Sequence, residues 1–225
     1  MRSLVWFRGK DLRLEDHGPL YQASQQGDVI PVFVVDPYFF APHNAQRLPH
    51  RMQFLLESVH DLAHGLQARG SRLVIVDGRS VDRIPEMAAR WKVDQVLAHR
   101  WCEPFGVERD RQVATALERE GIRFRLFEGE TLAPPGTLRT GSGTPYHVFT
   151  PFARAFHRQM AVGHPLPAPA TLPPVPESGL ALPKLEDLGL VANAGLLPGG
   201  ERAAHRRLDN FLEDGLNGYR LGRDR

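Results

Sequence analysis

Cysteine is almost absent: Cys102 is the single thiol in 225 residues. One thiol excludes a disulfide framework and a cysteine-built metal centre. There is no apolar run of the length that spans a bilayer. The chain passes at once into a strand-like pattern, so no signal peptide is expected, and a reducing, cytoplasmic setting fits the lone thiol. Neither charge dominates. The 28 Lys and Arg against 26 Asp and Glu leave +2, which excludes a strongly basic DNA-coating protein but permits a local basic groove. There is no internal repeat. No strand is followed by G-x-G-x-x-G and there is no P-loop, so two common phosphate-cradling signatures are missing.

Apolar residues make up 42% of the chain, enough for a real core. They come in short runs that alternate with longer amphipathic ones. Ser3 to Phe7, Val29 to Val35, Arg72 to Val76, Asp94 to Ala98 and Ile122 to Phe127 are the expected strands. Pro31 stands near the start of the second, where proline is tolerated. Helices are expected over Gly18 to Gln26, Arg51 to Arg69, Ser80 to about Trp91, and Arg109 to Glu120. In the longest, Phe54, Leu55, Val59, Leu62, Ala63 and Leu66 recur at helical spacing, and Gly70 is a plausible stop. Ser80 can cap the next. Strand–helix repetition of this kind predicts an α/β, Rossmann-like parallel sheet of five strands, covered by helices on both faces, over residues 1–130.

Beyond that the character changes. Residues 131–162 hold a loop rich in Pro, Gly and Thr and a helix from Phe149 to Met160 that completes the domain. Residues 163–200 carry many of the 19 prolines and little periodicity, the signature of a linker that has little apolar surface to bury and is loosely ordered. A C-terminal helix is expected from Glu201 to Leu216, with Ala204, Leu208, Phe211 and Leu212 on one stripe. Phe149, Phe152 and Phe156 are expected to form an exposed face that invites association.

The most informative stretch is the first. Leu4-Val5-Trp6-Phe7 breaks into Arg8-Gly9-Lys10-Asp11-Leu12-Arg13, a loop dense in charge. In an open α/β sheet the turn after the first strand lies at the carboxyl edge, where ligands bind. Arg8, Lys10 and Arg13 would bring positive charge there. The bland alternative is a solvated loop paired with Asp11, Glu15 and Asp16.

Residues 4–20 closely resemble the opening of the DNA photolyase/cryptochrome flavoproteins, whose pattern is W-F-R-x-D-L-R-x-x-D-N. Trp6, Phe7, Arg8, Asp11, Leu12, Arg13 and Asp16 match it; His17 replaces the usual Asn. The segment Glu103-Pro104-Phe105-Gly106-Val107-Glu108-Arg109-Asp110 resembles the family's E-P-x-x-x-x-R-D. Residues 141–152 resemble its G-x-P-Y-x-V-F-T-P-F.

The resemblance implies that residues 1–162 are a light-harvesting antenna domain. It also implies that 201–225 begin an FAD-binding helical domain, truncated here, which acts on damaged DNA in the full-length protein. Tyr219 matches a tyrosine that touches FAD and Arg223 an arginine that faces DNA. The family's FAD phosphate loop would lie beyond residue 225, so these residues alone are expected not to repair pyrimidine dimers. A cryptochrome blue-light receptor, or a stand-alone module binding a chromophore or a partner, stay open as alternatives. The oligomeric state is left open too.

Arg8, Arg13, Asp36, Arg51 and Glu103 are the candidate contacts to an antenna chromophore. Each has a structural alternative: an interface anchor for Arg8 and Arg13, a loop cap for Asp36, a solvated helix start for Arg51, a local ion pair for Glu103. Phe105 and Gly106 replace an Asn-Glu pair of folate-binding members, which favours a deazaflavin or flavin over methenyl-folate. His60 and His64 have the i, i+4 spacing of zinc ligands but no evident third partner, so no metal is expected. Trp6, Trp91, Trp101 and Cys102 are expected to serve packing.

Overall fold

The computed structural model describes residues 1–223. Five strands form one parallel sheet: β1 (Arg2–Phe7), β2 (Asp28–Val35), β3 (Val74–Asp77), β4 (Gln95–His99) and β5 (Arg123–Phe127). Their spatial order is β3-β2-β1-β4-β5. The strand order reverses between β1 and β4, and the carboxyl ends there define the crevice of such a fold. The register pairs Phe7 with Phe33 and Leu4 with Val96.

The sheet is buried on both faces, so its strands are continuously apolar rather than alternating. Successive residues still part to opposite sides. Val5, Phe7, Val29, Phe33 and Leu97 face α1 (Gly18–Ser24) and α4 (Pro49–Gln67). Leu4, Trp6, Val32, Val34 and Val96 face α5 (Ser80–Arg90) and α6 (Pro104–Arg119). Two short helices, α2 (Pro37–Phe40) and α3 (Pro42–Ala45), lie between β2 and α4. Pro31 pairs with Val5, one residue before β2 begins pairing with β3 at Val32.

Several boundaries differ from the sequence expectation for identifiable reasons. Helix α6 starts five residues early because Pro104 takes the first helical position, where its missing N–H costs nothing. In α4 the buried stripe is Met52, Leu56, Val59, Leu62 and Leu66. Phe54 is half exposed, turned away from this core. The cap of α5 is Arg79, and the Ser80 hydroxyl bonds Asp36 instead.

The proline-rich segment is not loose. It holds one 3-10 turn, Glu186–Leu188, yet buries Leu172, Leu188 and Leu190 in the core under α4. It runs along β3, where Leu180 N–H donates to the Ile75 carbonyl at 2.9 Å. A side chain at Gly179 would collide with the Ile75 backbone, so glycine permits this approach. The edge of the sheet is thereby covered. A few widely spaced leucines suffice, and they carry no periodic signal.

Helix α7 (Phe149–Gln159) leaves Phe149 77% exposed, and Phe152 also lies on the surface. The C-terminal helix is interrupted: α8 (Glu201–Asn210) passes through a π-helical turn at Phe211–Gly215 into α9 (Leu216–Gly222). Its stripe, Leu208, Phe211 and Leu212, is exposed.

The burial of the connector makes a testable prediction. Leu188→Ala should destabilise the chain by about 2–4 kcal/mol, as for other core leucines, read as a lower urea midpoint with an unchanged slope. A connector outside the cooperative unit would leave the midpoint where it was.

Candidate functional site: a cationic, aromatic cavity at the carboxyl edge

A cavity of about 440 Å³ opens at the carboxyl ends of β1 and β2. Its floor comes from Trp6 and Arg8 of β1 and its loop, Trp101 after β4, and Arg109 of α6. Phe33, Phe39, Phe40, Met52, Phe54 and Leu55 line its apolar side. Gly200, Glu201 and Ala204 of α8 roof it. The exposure of Phe54 is thus a cavity wall, not a packing fault.

The floor is an ion cluster shut away from water. Arg8 Nη1 donates to both oxygens of Asp110, at 2.7 and 2.9 Å. Arg109 Nε and Nη2 donate to Oδ1 of the same carboxylate, at 3.1 and 3.0 Å. All three side chains are buried. The guanidinium groups also lie over Trp6 and Trp101. Burial, with Arg8 close by, moves the Arg109 pKa down, but a guanidinium stays charged. Nε and Nη2 of Arg8 and Nε1 of Trp101 are buried without a hydrogen-bond partner among the described residues.

A second polar cluster fixes the β1 loop. Asp11 Oδ1 accepts the Arg8 backbone N–H at 2.5 Å, and Oδ2 meets Nδ1 of His99 at 3.0 Å and Nε2 of His17 at 3.6 Å. Burial would raise the Asp11 pKa, but the two imidazoles prevail and hold it well below the ordinary 3.8. His17 caps α1: its Nδ1 accepts from Leu20 N–H at 3.0 Å. That bond leaves the ring proton on Nε2, facing Asp11. A metal at Nε2 would require both ring nitrogens deprotonated, so the trio is a polar anchor despite its ligand-like spacing, with Asp11 hydrogen-bonded to His99 and the His17 Nε2 beside it without a hydrogen-bond partner among the described residues. The group Glu15, Glu201 and His205 is likewise engaged, since both Glu201 oxygens accept backbone N–H groups, of Leu14 and Glu15. His60 and His64 lie exposed on α4 and join neither group.

Arg8, Arg13, Asp36 and Arg51 all line the cavity. Arg13 donates to the Asp16 carbonyl at 2.9 Å. Asp36 is buried, caps α2 through Tyr38 N–H at 3.0 Å, and accepts from Ser80 N–H and Oγ at 2.8 and 2.6 Å. Arg51 is exposed and makes no ion pair among the described residues. Glu103 stands apart from the cavity lining and pairs with Lys10, which also binds Glu130. Tyr219 lies on the exposed face of α9 in edge contact with Phe211, and Arg223 N–H donates to the Tyr219 carbonyl. Sequence reading missed Arg109 and Asp110 as site residues, although the R-D pair lay inside a quoted motif. It placed Trp6 and Trp101 in packing alone.

The anchor cluster sets an acid limit. The Asp11 pKa is depressed by folding, so its contribution is complete above about pH 3.8 and is lost as pH falls below that value. The His17 pKa is depressed too, by burial, so an unfolded chain takes that proton first as pH drops below about 6.5. Stability should therefore fall gradually below pH 6.5 and steeply below pH 4. Asp11→Asn should lose about 1.5–3 kcal/mol at neutral pH, as for hydrogen bonds to a charged group, and flatten the acid limb, measured by denaturant unfolding across pH. An unchanged acid limb would refute the assignment.

The family model for DNA photolyase matches residues 3–170. The chain is 39% identical over 222 residues to a deoxyribodipyrimidine photo-lyase of Thermus thermophilus, covering 99% of this chain and 47% of that protein. It superposes on a cryptochrome from Synechocystis sp. PCC6803 with a TM-score of 0.86 at 29% identity, over 98% of this chain and 48% of the other. An archaeal photolyase from Sulfolobus tokodaii, solved with two FAD molecules, matches with a TM-score of 0.64 at 26% identity, over 90% and 44%. The chain spans about half the length of these relatives. With a family match over most of its sheet domain and a superposition that runs into α8, the chain belongs to the DNA photolyase family.

Proposed function

We propose that this chain is the light-harvesting, antenna part of a photolyase-like flavoprotein, and that the cavity at the carboxyl edge holds the antenna chromophore. One observation carries this reading: a cavity large enough for a fused ring system is walled by aromatic rings and floored by buried guanidinium groups. Apolar, pre-formed clefts with few polar groups are typical ligand sites. A planar ring would lie against Trp6, Trp101 and Phe39. Arg51, unpaired at the rim, would take an anionic tail, and Arg13 would flank it. Asp36 keeps acceptor capacity on Oδ1 for a ring N–H. Glu103 would act at one remove, by holding Lys10 at the rim. A chromophore bound there supplies absorption of blue or near-ultraviolet light and passes the excitation on.

A flavin or deazaflavin is favoured over methenyl-folate. At Gly106 a Cβ would stand 2.5 Å from Cβ of Trp101, so a glutamate does not fit there while Trp101 keeps its place. Phe105 is stacked on Tyr38 at 3.8 Å. The Sulfolobus relative, described with two FAD molecules and the implication of a novel light-harvesting cofactor, supports the flavin reading.

In the full-length protein, FAD held by the helical domain, with Tyr219 against it, and damaged DNA faced by Arg223 would complete the repair enzyme. A cryptochrome photoreceptor is the second reading, supported by the Synechocystis superposition. The N-terminal part serves both.

The test is a titration of the purified chain with FMN, a deazaflavin and methenyl-tetrahydrofolate, followed by fluorescence anisotropy. A flavin-type ring should bind. Arg51→Ala should weaken binding by about tenfold, as for one lost charge-assisted contact, without moving the thermal midpoint. Binding of the folate alone would overturn the flavin assignment, and binding of none would overturn the antenna reading.

A further inference from the structure

The three tryptophans sit in unlike surroundings. Trp6 and Trp101 form part of the cavity wall. Over Trp6 lie the guanidinium carbons of Arg109 and Arg8, at 4.7 and 4.9 Å. Over Trp101 lie Arg109 at 4.7 Å, Lys10 Nζ at 5.3 Å and Arg8 at 5.7 Å. The Trp101 indole N–H is buried without an acceptor among the described residues. Trp91 is an internal contrast. It is as buried as Trp101, each being 6% exposed. Yet its N–H donates to the Glu177 carboxylate at 3.0 Å, and no cation lies over its ring among the described residues.

An excited flavin-type ring is a strong one-electron oxidant, and an indole is among the most readily oxidised side chains. Contact between them invites one electron to pass from the indole to the excited ring. That step leaves an indole radical cation and a singly reduced ring, with no bond made or broken. It destroys the excitation that an antenna must hand on. Positive charge over the ring face is attracted to the neutral indole and repels its radical cation, most strongly where water is excluded. Without a proton acceptor, oxidised Trp101 also cannot settle by losing its N–H proton. Neither Asp110, which meets the guanidinium nitrogens, nor Asp36, which meets Ser80 and Tyr38, accepts from the Trp101 N–H. What lies over the two indoles is cationic.

We propose that Arg8 and Arg109 guard the excited chromophore: by holding positive charge over Trp6 and Trp101, they keep these indoles from quenching it by electron transfer. The proposal rests on the reading of the cavity as a light-harvesting site. It gives the buried arginine pair a task distinct from gripping a ligand.

The experiment has a loaded and an empty arm, both on the 225-residue chain. In the loaded arm FMN is bound, its occupancy is measured by anisotropy, and its fluorescence lifetime is recorded. Arg109→Met should shorten the bound-state lifetime by about tenfold or more. Adding Trp6→Phe and Trp101→Phe should restore it, and Arg109→Lys should behave as the parent. In the empty arm, azide radicals generated by pulse radiolysis remove one electron and become azide, and mass spectrometry maps the oxidised tryptophan. Oxidation should fall on Trp91 in the parent and in Arg109→Lys, and spread to Trp6 and Trp101 in Arg109→Met. An unchanged lifetime with FMN bound to Arg109→Met overturns the proposal. So does oxidation of Trp101 as readily as Trp91 in the parent chain, or in a folded Arg109→Lys. If FMN fails to bind, the loaded arm is run with the deazaflavin; if neither binds, the flavin assignment falls, and the empty arm still decides whether the arginines protect the indoles.

Discussion

The structure turns on one buried carboxylate. Asp110 accepts four hydrogen bonds from Arg8 and Arg109 in a place water does not reach. Removing it would leave two cations uncompensated in the interior, which is far more costly than losing a surface pair. Through it the loop after β1 is tied to α6, across the point where the sheet reverses its strand order. Everything that makes the cavity follows from that tie. Arg8 cannot swing into solvent, Trp6 and Trp101 are held beneath the guanidiniums, and the start of α6 is drawn down until Gly106 touches Trp101.

The Asp11 cluster performs the matching task on the other side of the same loop. One carboxylate reads the Arg8 backbone, the end of β4 through His99, and the start of α1 through His17. The His17 ring also packs on Phe7 and His99, with centroids 4.5 Å away in each case. Histidine at this position therefore serves at once as a helix cap, a polar neighbour of a buried anion and a ring in the core. Two buried carboxylates thus hold one short loop from both ends, and the loop can present Arg8, Lys10 and Arg13 without flexing.

How much of this could be read from residues alone depends on the range of the interaction. The five strands were legible because a doubly covered strand is a short apolar run, and Val29 to Val35 or Asp94 to Ala98 can hardly be anything else. Arg8, Arg13 and Asp36 were legible as residues of the carboxyl edge because each closely follows a strand, and they line the cavity there. The exposed Phe54 was not, since at helical spacing a cavity wall and a core stripe differ only by a rotation of the helix. Arg109 and Asp110 were hidden by the Pro and Gly before them, which suggested a later helix start. The connector leucines at 172, 188 and 190 have no period at all. Their burial is fixed by backbone bonds to β3 and to the end of α4, and no local pattern announces such bonds.

The roof of the cavity is the most distant of these contacts and the most consequential. Glu201 closes on Leu14 and Glu15 across 187 and 186 residues, and Arg202 pairs with Asp61 of α4. Helix α8 thereby sits on the cavity as a lid whose first turn is pinned at two points. In the sequence order, α8 is also the first helix after the connector, where the segment resembling the flavin domain begins. One wall of the cavity is thus made by the helix that follows the connector. Any movement of α8 relative to the sheet would have to break the Glu201 and Arg202 contacts. The exposed stripe of Leu208, Phe211 and Leu212 lies further along the same helical run. One helical run therefore carries the cavity roof at its beginning and an uncovered apolar surface from Leu208 into the π-helical turn.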